Sequence, residues 1–206
     1  TPQQNLANAV IRLKINADLT LTLSDYFVSN TPADLGQAGA MALPPACPSK
    51  HIFTVGSNGY VYGLDANDLG GYKQGINGTN RIATAFGPFP SSPTYRRPSV
   101  FPSSTGCYVY HLPQNRPLLC FRHADMGSSY SVAGQWDSPL RGSSGTSSVI
   151  ITSDGDIASS AIVWALVVLD NAVDGYGAFL MAFSAVPSRG QLSFLHILSF
   201  RRAQTL

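Results

Sequence analysis

Four histidines, three cysteines and eleven carboxylates, every one an aspartate, are the side chains of this 206-residue chain best suited to chemistry. His51, His111, His123 and His196 stand far apart, and without glutamate no His-Glu-x-x-His helix can exist. Cys47, Cys107 and Cys120 show no Cys-x-x-Cys spacing, so no zinc site is expected and at most one intrachain pair can form. The plain reading is three thiols, most of them buried. A chymotrypsin-like relay needs His, then Asp, then a nucleophile in a glycine-rich elbow. His51 followed by Asp65 or Asp68 satisfies the order. The later segments Thr105-Gly106-Cys107-Tyr108 and Gly142-Ser143-Ser144-Gly145 lack the elbow. Cys120, His123 and Asp125 lie close in sequence, but neighbours on one strand point to alternate faces. The carboxylate pairs Asp154/Asp156 and Asp170/Asp174 each flank a glycine turn, and turn formation is their expected role. The loop at Asp170–Gly175 offers too few oxygens in register for calcium. No catalytic residue, metal or cofactor is expected; a hydrolase with an Asp- or Cys-based site stays as an alternative.

What remains is recognition chemistry. Tyr72, Tyr95, Arg96, Arg97, Tyr130, Trp136 and Asp137 all fall in or beside stretches that read as loops. Tyr, Trp and Arg dominate binding hot spots because they offer large contact area with few rotors. Aromatic faces beside Asp and Arg also suit a carbohydrate. Asn77-Gly78-Thr79 fits a glycosylation sequon and equally an Asn-Gly turn.

The elements that position these residues are strands. Ala161–Leu169, Tyr176–Val186 and Leu192–Phe200 are uncharged apart from His196, and turn residues bound them. Runs of about 9 to 11 apolar residues are too short for a membrane helix and fit central strands buried on both faces. They predict a three-strand antiparallel meander, with His196 packed in it. Ile11, Leu13 and Ile15 alternate with Arg12 and Lys14, which predicts a strand with one buried and one wet face. Leu19-Thr20-Leu21-Thr22-Leu23 repeats the pattern after a turn at Asn16-Ala17-Asp18, so the chain begins with a hairpin. A second hairpin joins Ile52–Val55 to Tyr60–Leu64 across Asn58-Gly59, where both turn positions are expected at positive φ. A third joins Cys107–Leu112 to Leu118–Arg122. Arg81–Phe86, Tyr130–Ala133 and Val149–Thr152 read as further strands. Thr31–Ser49, with a short helical turn near Ala33-Asp34-Leu35, and the stretches Asp65–Asn80, Gly87–Pro102 and Met126–Ser148 read as loops.

The total is an all-β fold: an antiparallel β-barrel or sandwich of about 11–12 short strands with long polar loops, in one domain over residues 1–206. Charged residues make up 12% of the chain, about half the usual ~25%, and lysine is confined to Lys14, Lys50 and Lys73. Without Glu and with little Lys, two of the best surface helix formers are missing. A net charge of +2 is too small and scattered for a nucleic-acid footprint, and no apolar run is long enough to insert in a bilayer as a helix. No start methionine or signal peptide is visible, and Thr1-Pro2-Gln3-Gln4 reads as a cut in a polar linker of a longer protein.

A glutamate-free, lysine-poor β domain rich in Ser, Thr, Gly and Pro resembles the surface projections of non-enveloped virus capsids, the astrovirus capsid spike among them. The resemblance implies a β-barrel-cored spike on the virion surface that pairs as a homodimer. It would attach the particle to a host-cell receptor, glycan or protein, and carry antigenic loops met by neutralising antibodies. Arg201-Arg202 would suit the trypsin-like cleavage by which such capsids mature. A trimeric viral fibre head of the adenovirus or reovirus kind is the neighbouring alternative.

Overall fold

The computed structural model describes residues 6–31, 35, 39–47, 49–74, 84–89, 96–113, 116–123, 130–135, 148–168 and 177–200; for residues 74, 123 and 130–133 it describes the backbone alone. The fold is all-β. Fifteen strands are described, more than the eleven or twelve expected, and the one helical element among the described residues is a single 3-10 turn at Ala158–Ser160. The strands group into four open sheets, and the chain divides into two compact units. Residues 1–43 and 49–97 form unit 1; residues 44–48 and 98–206 form unit 2.

Unit 1 opens with the expected hairpin, β1 (Val10–Ile15) against β2 (Leu21–Ser29). Its turn runs two residues further than Asp18, to Thr20. Asn16 N–H donates to Thr20 O, and the Asp18 carboxylate accepts from both Thr20 N–H and the Thr20 hydroxyl. These bonds hold the Asp18 carboxyl below its ordinary range. The cost falls on Leu19, which is 83% exposed and sits at φ 66, where an L side chain crowds its own carbonyl. Behind β2 the Arg12 guanidinium ties the sheet down. It lies 3.5 Å from Asp25, donates to Ser24 Oγ at 3.2 Å, and also bonds Ala66 O. The Asp25 carboxylate in turn accepts from Leu69 N–H. β6 (Gly71–Gln74) pairs in parallel with β2, so the expected Asp65–Asn80 loop contains a strand.

The second sheet of unit 1 has the order β3 (Ala40–Ala42), β4 (His51–Val55), β5 (Val61–Asp65), β7 (Thr84–Phe86). β3 is a three-residue edge inside the stretch expected to be loop; of its expected helical turn only Leu35 is described, and it is buried. The Asn58-Gly59 hairpin forms, with a different turn. Only Gly59 has positive φ (+82); its N–H donates to Gly56 O, and Gly56 N–H donates to Tyr60 O. Asn58 is thereby free of the left-handed region. Gly59 is required twice over, because a Cβ there would stand 2.8 Å from Phe89 O. Phe27, Leu35, Tyr62, Leu64 and Leu69 form a buried cluster. The Tyr62 hydroxyl would be costly to bury bare. It is met by Asn58 Nδ2 at 2.7 Å and Ser29 Oγ at 2.9 Å.

Unit 2 holds two four-stranded antiparallel meanders. One is β8 (Ser99–Ser103), β9 (Gly106–His111), β10 (Leu119–His123), β11 (Tyr130–Gln135). The proline-rich stretch expected to be loop thus supplies β8. Pro102 is tolerated because β8 is an edge strand, where a missing N–H leaves no ladder bond unmade. The other is β12 (Ile150–Thr152), β13 (Ile162–Val168), β14 (Ala178–Ser184), β15 (Phe194–Phe200), which is the expected meander with one more strand.

Both sheets line one core that includes Phe101, Tyr110, Leu118, Val163, Ala165, Val167, Met181 and Phe183. Cys47 and Cys107 form a disulfide with Cα atoms 5.6 Å apart, so the reading of three thiols is corrected. Closing a loop of 60 residues removes unfolded-state entropy worth about 4 kcal/mol in the chain-entropy account.

The meander departs from expectation in its faces. β13 alternates: Val163, Ala165 and Val167 are buried, whereas Ile162, Trp164, Leu166 and Val168 are half-buried. β15 is an edge strand with Phe194, Leu195, Leu198 and Phe200 all 46–51% exposed, and His196 is exposed instead of packed. The run is apolar on both faces, yet the described chain covers one. His51 and His111 are buried instead, and at the fully enclosed His111 loss of hydration pushes the pKa down to about 3. The same burial raises the Cys120 thiol, which contacts Tyr110, while the Tyr110 hydroxyl donates to Ala185 O at 2.5 Å.

Three outcomes follow. Leu19→Gly relieves the left-handed backbone and should raise stability by about 0.5–1 kcal/mol in urea unfolding. Met181→Ala should cost about 2–5 kcal/mol, and Leu198→Ala on the exposed face under about 1 kcal/mol. His111 binds a proton more readily unfolded (near 6.5) than folded (about 3), so stability should fall as pH drops from 6.5 toward 3. The steepest slope should be about 1.4 kcal/mol per pH unit, and His111→Gln should flatten it.

Candidate binding surface

The sequence candidates for chemistry meet structural duties. His51 is buried at the start of β4, directly opposite Asp65 in register, so strand pairing does bring the first two members of a relay together. A relay needs the acid on one ring nitrogen and the nucleophile on the other. Instead Ser49 Oγ lies 3.2 Å from His51 Nδ1, and the Asp65 carboxylate accepts from Asn67 N–H at 2.8 Å. The Asp68 carboxylate caps Gly70 N–H in the same way. Cys107 is consumed in the disulfide, and Cys120 is fully buried on β10, where its raised pKa keeps it a thiol. His123 ends β10; Asp125, Gly142–Gly145, Asp170 and Asp174 lie outside the described residues. Asp154 and Asp156 occupy an exposed turn around Gly155. No group of three His, Cys or Asp side chains that could hold a metal occurs among the described residues, and none of their helices is long and apolar enough to cross a membrane.

The recognition candidates are distributed as follows. Tyr95, Trp136 and Asp137 lie outside the described residues, as do Asn77–Thr79 and Arg201–Arg202. Tyr130 opens β11 opposite His123, with only its backbone described. Arg96 is half-buried and Arg97 exposed, in the segment that precedes β8.

Tyr72 stands on β6 rather than on a loop, and it is 59% exposed. The backbone around it is unusual. Gly70 and Gly71 have φ +91 and +82, and Lys73, with a full side chain, sits at φ 57. A non-glycine residue in that region costs roughly 1–2 kcal/mol. The local effect is to present Tyr72 outward with the Lys73 ammonium 5.6 Å from its ring centroid. Such strain concentrates at functional positions.

A second cation–aromatic group lies in unit 2. Arg122 sits 5.9 Å from the Tyr108 ring centroid and donates to Thr105 O at 2.6 Å, across the β8–β9 turn. It closes over Gly106, where a Cβ would meet Arg122 Nε at 3.0 Å. This group is internal packing.

Sequence reasoning missed two surfaces. Ile11, Leu13, Ile15, Leu21 and Leu23 form an apolar face on β1–β2, and each is 45–70% exposed. The alternation was visible; that its dry side would be uncovered was not. The outer face of β12–β15 is the second such surface. The uncharged character of Ala161–Leu169 was its signal, because a strand apolar on both sides needs a covering layer on each.

No family model matches the chain, and no curated protein matches it. A search of solved structures finds likeness to the β-propeller domain of Myceliophteria thermophila Cps50 (Swd1), with a TM-score of 0.51 and 11% identity over 93% of this chain. The chain spans about half of that domain, 54% of its length. At such identity the likeness is one of fold: four-stranded antiparallel sheets of the β8–β11 and β12–β15 kind are the unit from which propeller blades are made.

Proposed function

We propose that this chain is a non-catalytic recognition module that binds a macromolecular partner, with Tyr72 as the contact residue on unit 1. The observation that carries the reading is the Gly70–Lys73 segment, where left-handed backbone holds an exposed aromatic ring and a lysine on a strand. A rigid aromatic anchor loses little entropy on binding, which is why such residues dominate hot spots. Arg97, exposed, and Arg96 belong to the same unit and extend the surface chemistry to cations. A fold like that of a β-propeller domain supports a scaffold role.

Attachment to a host-cell receptor from a virion surface, the setting implied by the sequence resemblance, is one way such a module would act. The Cys47–Cys107 bond suits residence outside the reducing cytosol. In place of a barrel or sandwich the described strands form four small sheets.

Binding of the labelled chain to glycan and cell-surface protein arrays tests the proposal. Tyr72→Ala should lower affinity for the captured partner at least tenfold, about 1.4 kcal/mol or more. Its circular dichroism and melting temperature should stay unchanged. Turnover of an ester, peptide or glycoside substrate, lost in Asp154→Ala, would sink the reading in favour of a hydrolase.

A further inference from the structure

We infer that the outer edge of β15 is a strand-addition site: it takes an extended, uncharged segment of another polypeptide as a fifth strand of the β12–β15 sheet. The backbone bonding pattern shows which groups are on offer. Ala185 N–H donates to Ala161 O, toward β13, and Ser184 N–H donates to Ser193 O, on the β15 side. Along an antiparallel ladder that direction alternates from residue to residue. Ala182, Leu180 and Ala178 therefore follow Ser184, and their register partners on β15 are His196, Leu198 and Phe200. Those three are bonded inward. Ile197 and Ser199 turn their N–H and C=O the other way, to an edge on which no strand pairs among the described residues.

The other described edges are guarded, and β15 is not. An open edge invites any extended chain, and folded proteins blunt it with charge, proline, shortness or a covering segment. β1 carries Arg12 and Lys14, β6 carries Lys73 with its left-handed backbone, and β8 carries Pro102. β3, β7 and β12 are three residues each. β11 ends at Gln135, whose N–H donates to Gly190 O and whose C=O accepts from Leu192 N–H. β15 runs for seven residues without proline, Asp, Lys or Arg, and His196 is its one titratable side chain.

The occupant follows from the same groups. A row of N–H and C=O at strand spacing is matched by another extended backbone, and a glycan, nucleic acid or lipid lacks that period. β13, β14 and β15 hold no Asp, Lys or Arg, so a charged segment finds no counter-charge there. Leu195, Leu198 and Phe200 are 47–51% exposed along the edge, and aliphatic side chains on an added strand would cover them. Size selects a lone segment over a second folded copy. The seven-residue edge is roughly 24 Å long, and a contact limited to it stays well below the ~1,000 Å² at which interfaces between folded chains begin. About four backbone bonds and a few apolar contacts suit a linear segment held weakly.

Amide hydrogen exchange of the full chain, read residue by residue by NMR, tests this. The probe is a capped peptide of alternating valine and threonine, matched to β15 in length. Without peptide, the Ile197 and Ser199 amides should exchange fast and those of His196 and Leu198 slowly. Peptide at about 1 mM should slow Ile197 and Ser199 about tenfold, the factor that a Kd near 100 µM gives. The fully N-methylated peptide should leave them fast, because it has no N–H to donate. Ser199→Pro removes an outward N–H and no bond to β14, so it should abolish the slowing while the melting temperature holds. Ser199→Ala should keep it. Ile197 and Ser199 protected already in the free monomer would mean that the chain covers its own edge, and that overturns the inference. Absence of slowing at 1 mM peptide overturns it too, as does slowing by the N-methylated peptide. Protection that grows with chain concentration alone would assign the edge to a second copy and likewise overturn it. Tyr72→Ala should change none of these rates, so failure here is separate from failure of the array test.

Discussion

A β-sheet has two faces, and each apolar one must be covered or left wet. That constraint governs both units. In unit 2 the inner faces of two meanders close on one core, where Met181, Phe183 and Val163 are fully buried. Burial of such side chains stabilises by about 1.5–3 kcal/mol each. The outer side of β12–β15 is largely apolar as well and stays part-exposed among the described residues, so residues of nearly the same chemistry have opposite fates by parity alone. Unit 1 repeats the situation on a smaller scale, with Phe27 and Tyr62 enclosed and Leu13 and Ile15 exposed.

The described polar groups taken into these cores are handled in more than one way. Tyr62 receives partners from a neighbouring turn and strand, which converts a buried hydroxyl into a joint between Asn58 and Ser29. Tyr110 finds a backbone carbonyl at Ala185. His111 is kept neutral, and Cys120 is kept protonated by the same loss of water. Residues whose types suggested reactivity have thus been turned toward packing, and the Asp65, Asp68 and Asp18 carboxylates toward turns. Surface chemistry is left to aromatics, lysine and arginine.

Much of the fold was legible because period-two alternation and turn residues are local signals. The hairpins at Asn16–Thr20 and Gly56–Tyr60, the β9–β10 pair and the β13–β15 meander follow from them. β3, β6 and β8 did not, being short or proline-bearing edge strands held by a neighbour rather than by their own pattern. The parity of Ile11-Leu13-Ile15 was readable, but which side of a sheet lacks a cover depends on long-range packing that alternation does not encode. Among the candidate residues, Tyr72 was found by type and placed on the wrong element. The strained Gly70–Lys73 backbone that displays it has no composition signal beyond a pair of glycines.

The disulfide has a mechanical meaning. Cys47 and Cys107 close a covalent circuit around β4 to β8, so tension applied to the two chain ends runs across the sulfur–sulfur bond and bypasses everything between. Sixty residues at about 3.5 Å each amount to roughly 200 Å of contour that cannot be drawn out until the bond is reduced. The segment bearing Tyr72 lies inside that circuit, and so a partner gripping it would hold a part of the chain that force along the backbone does not reach.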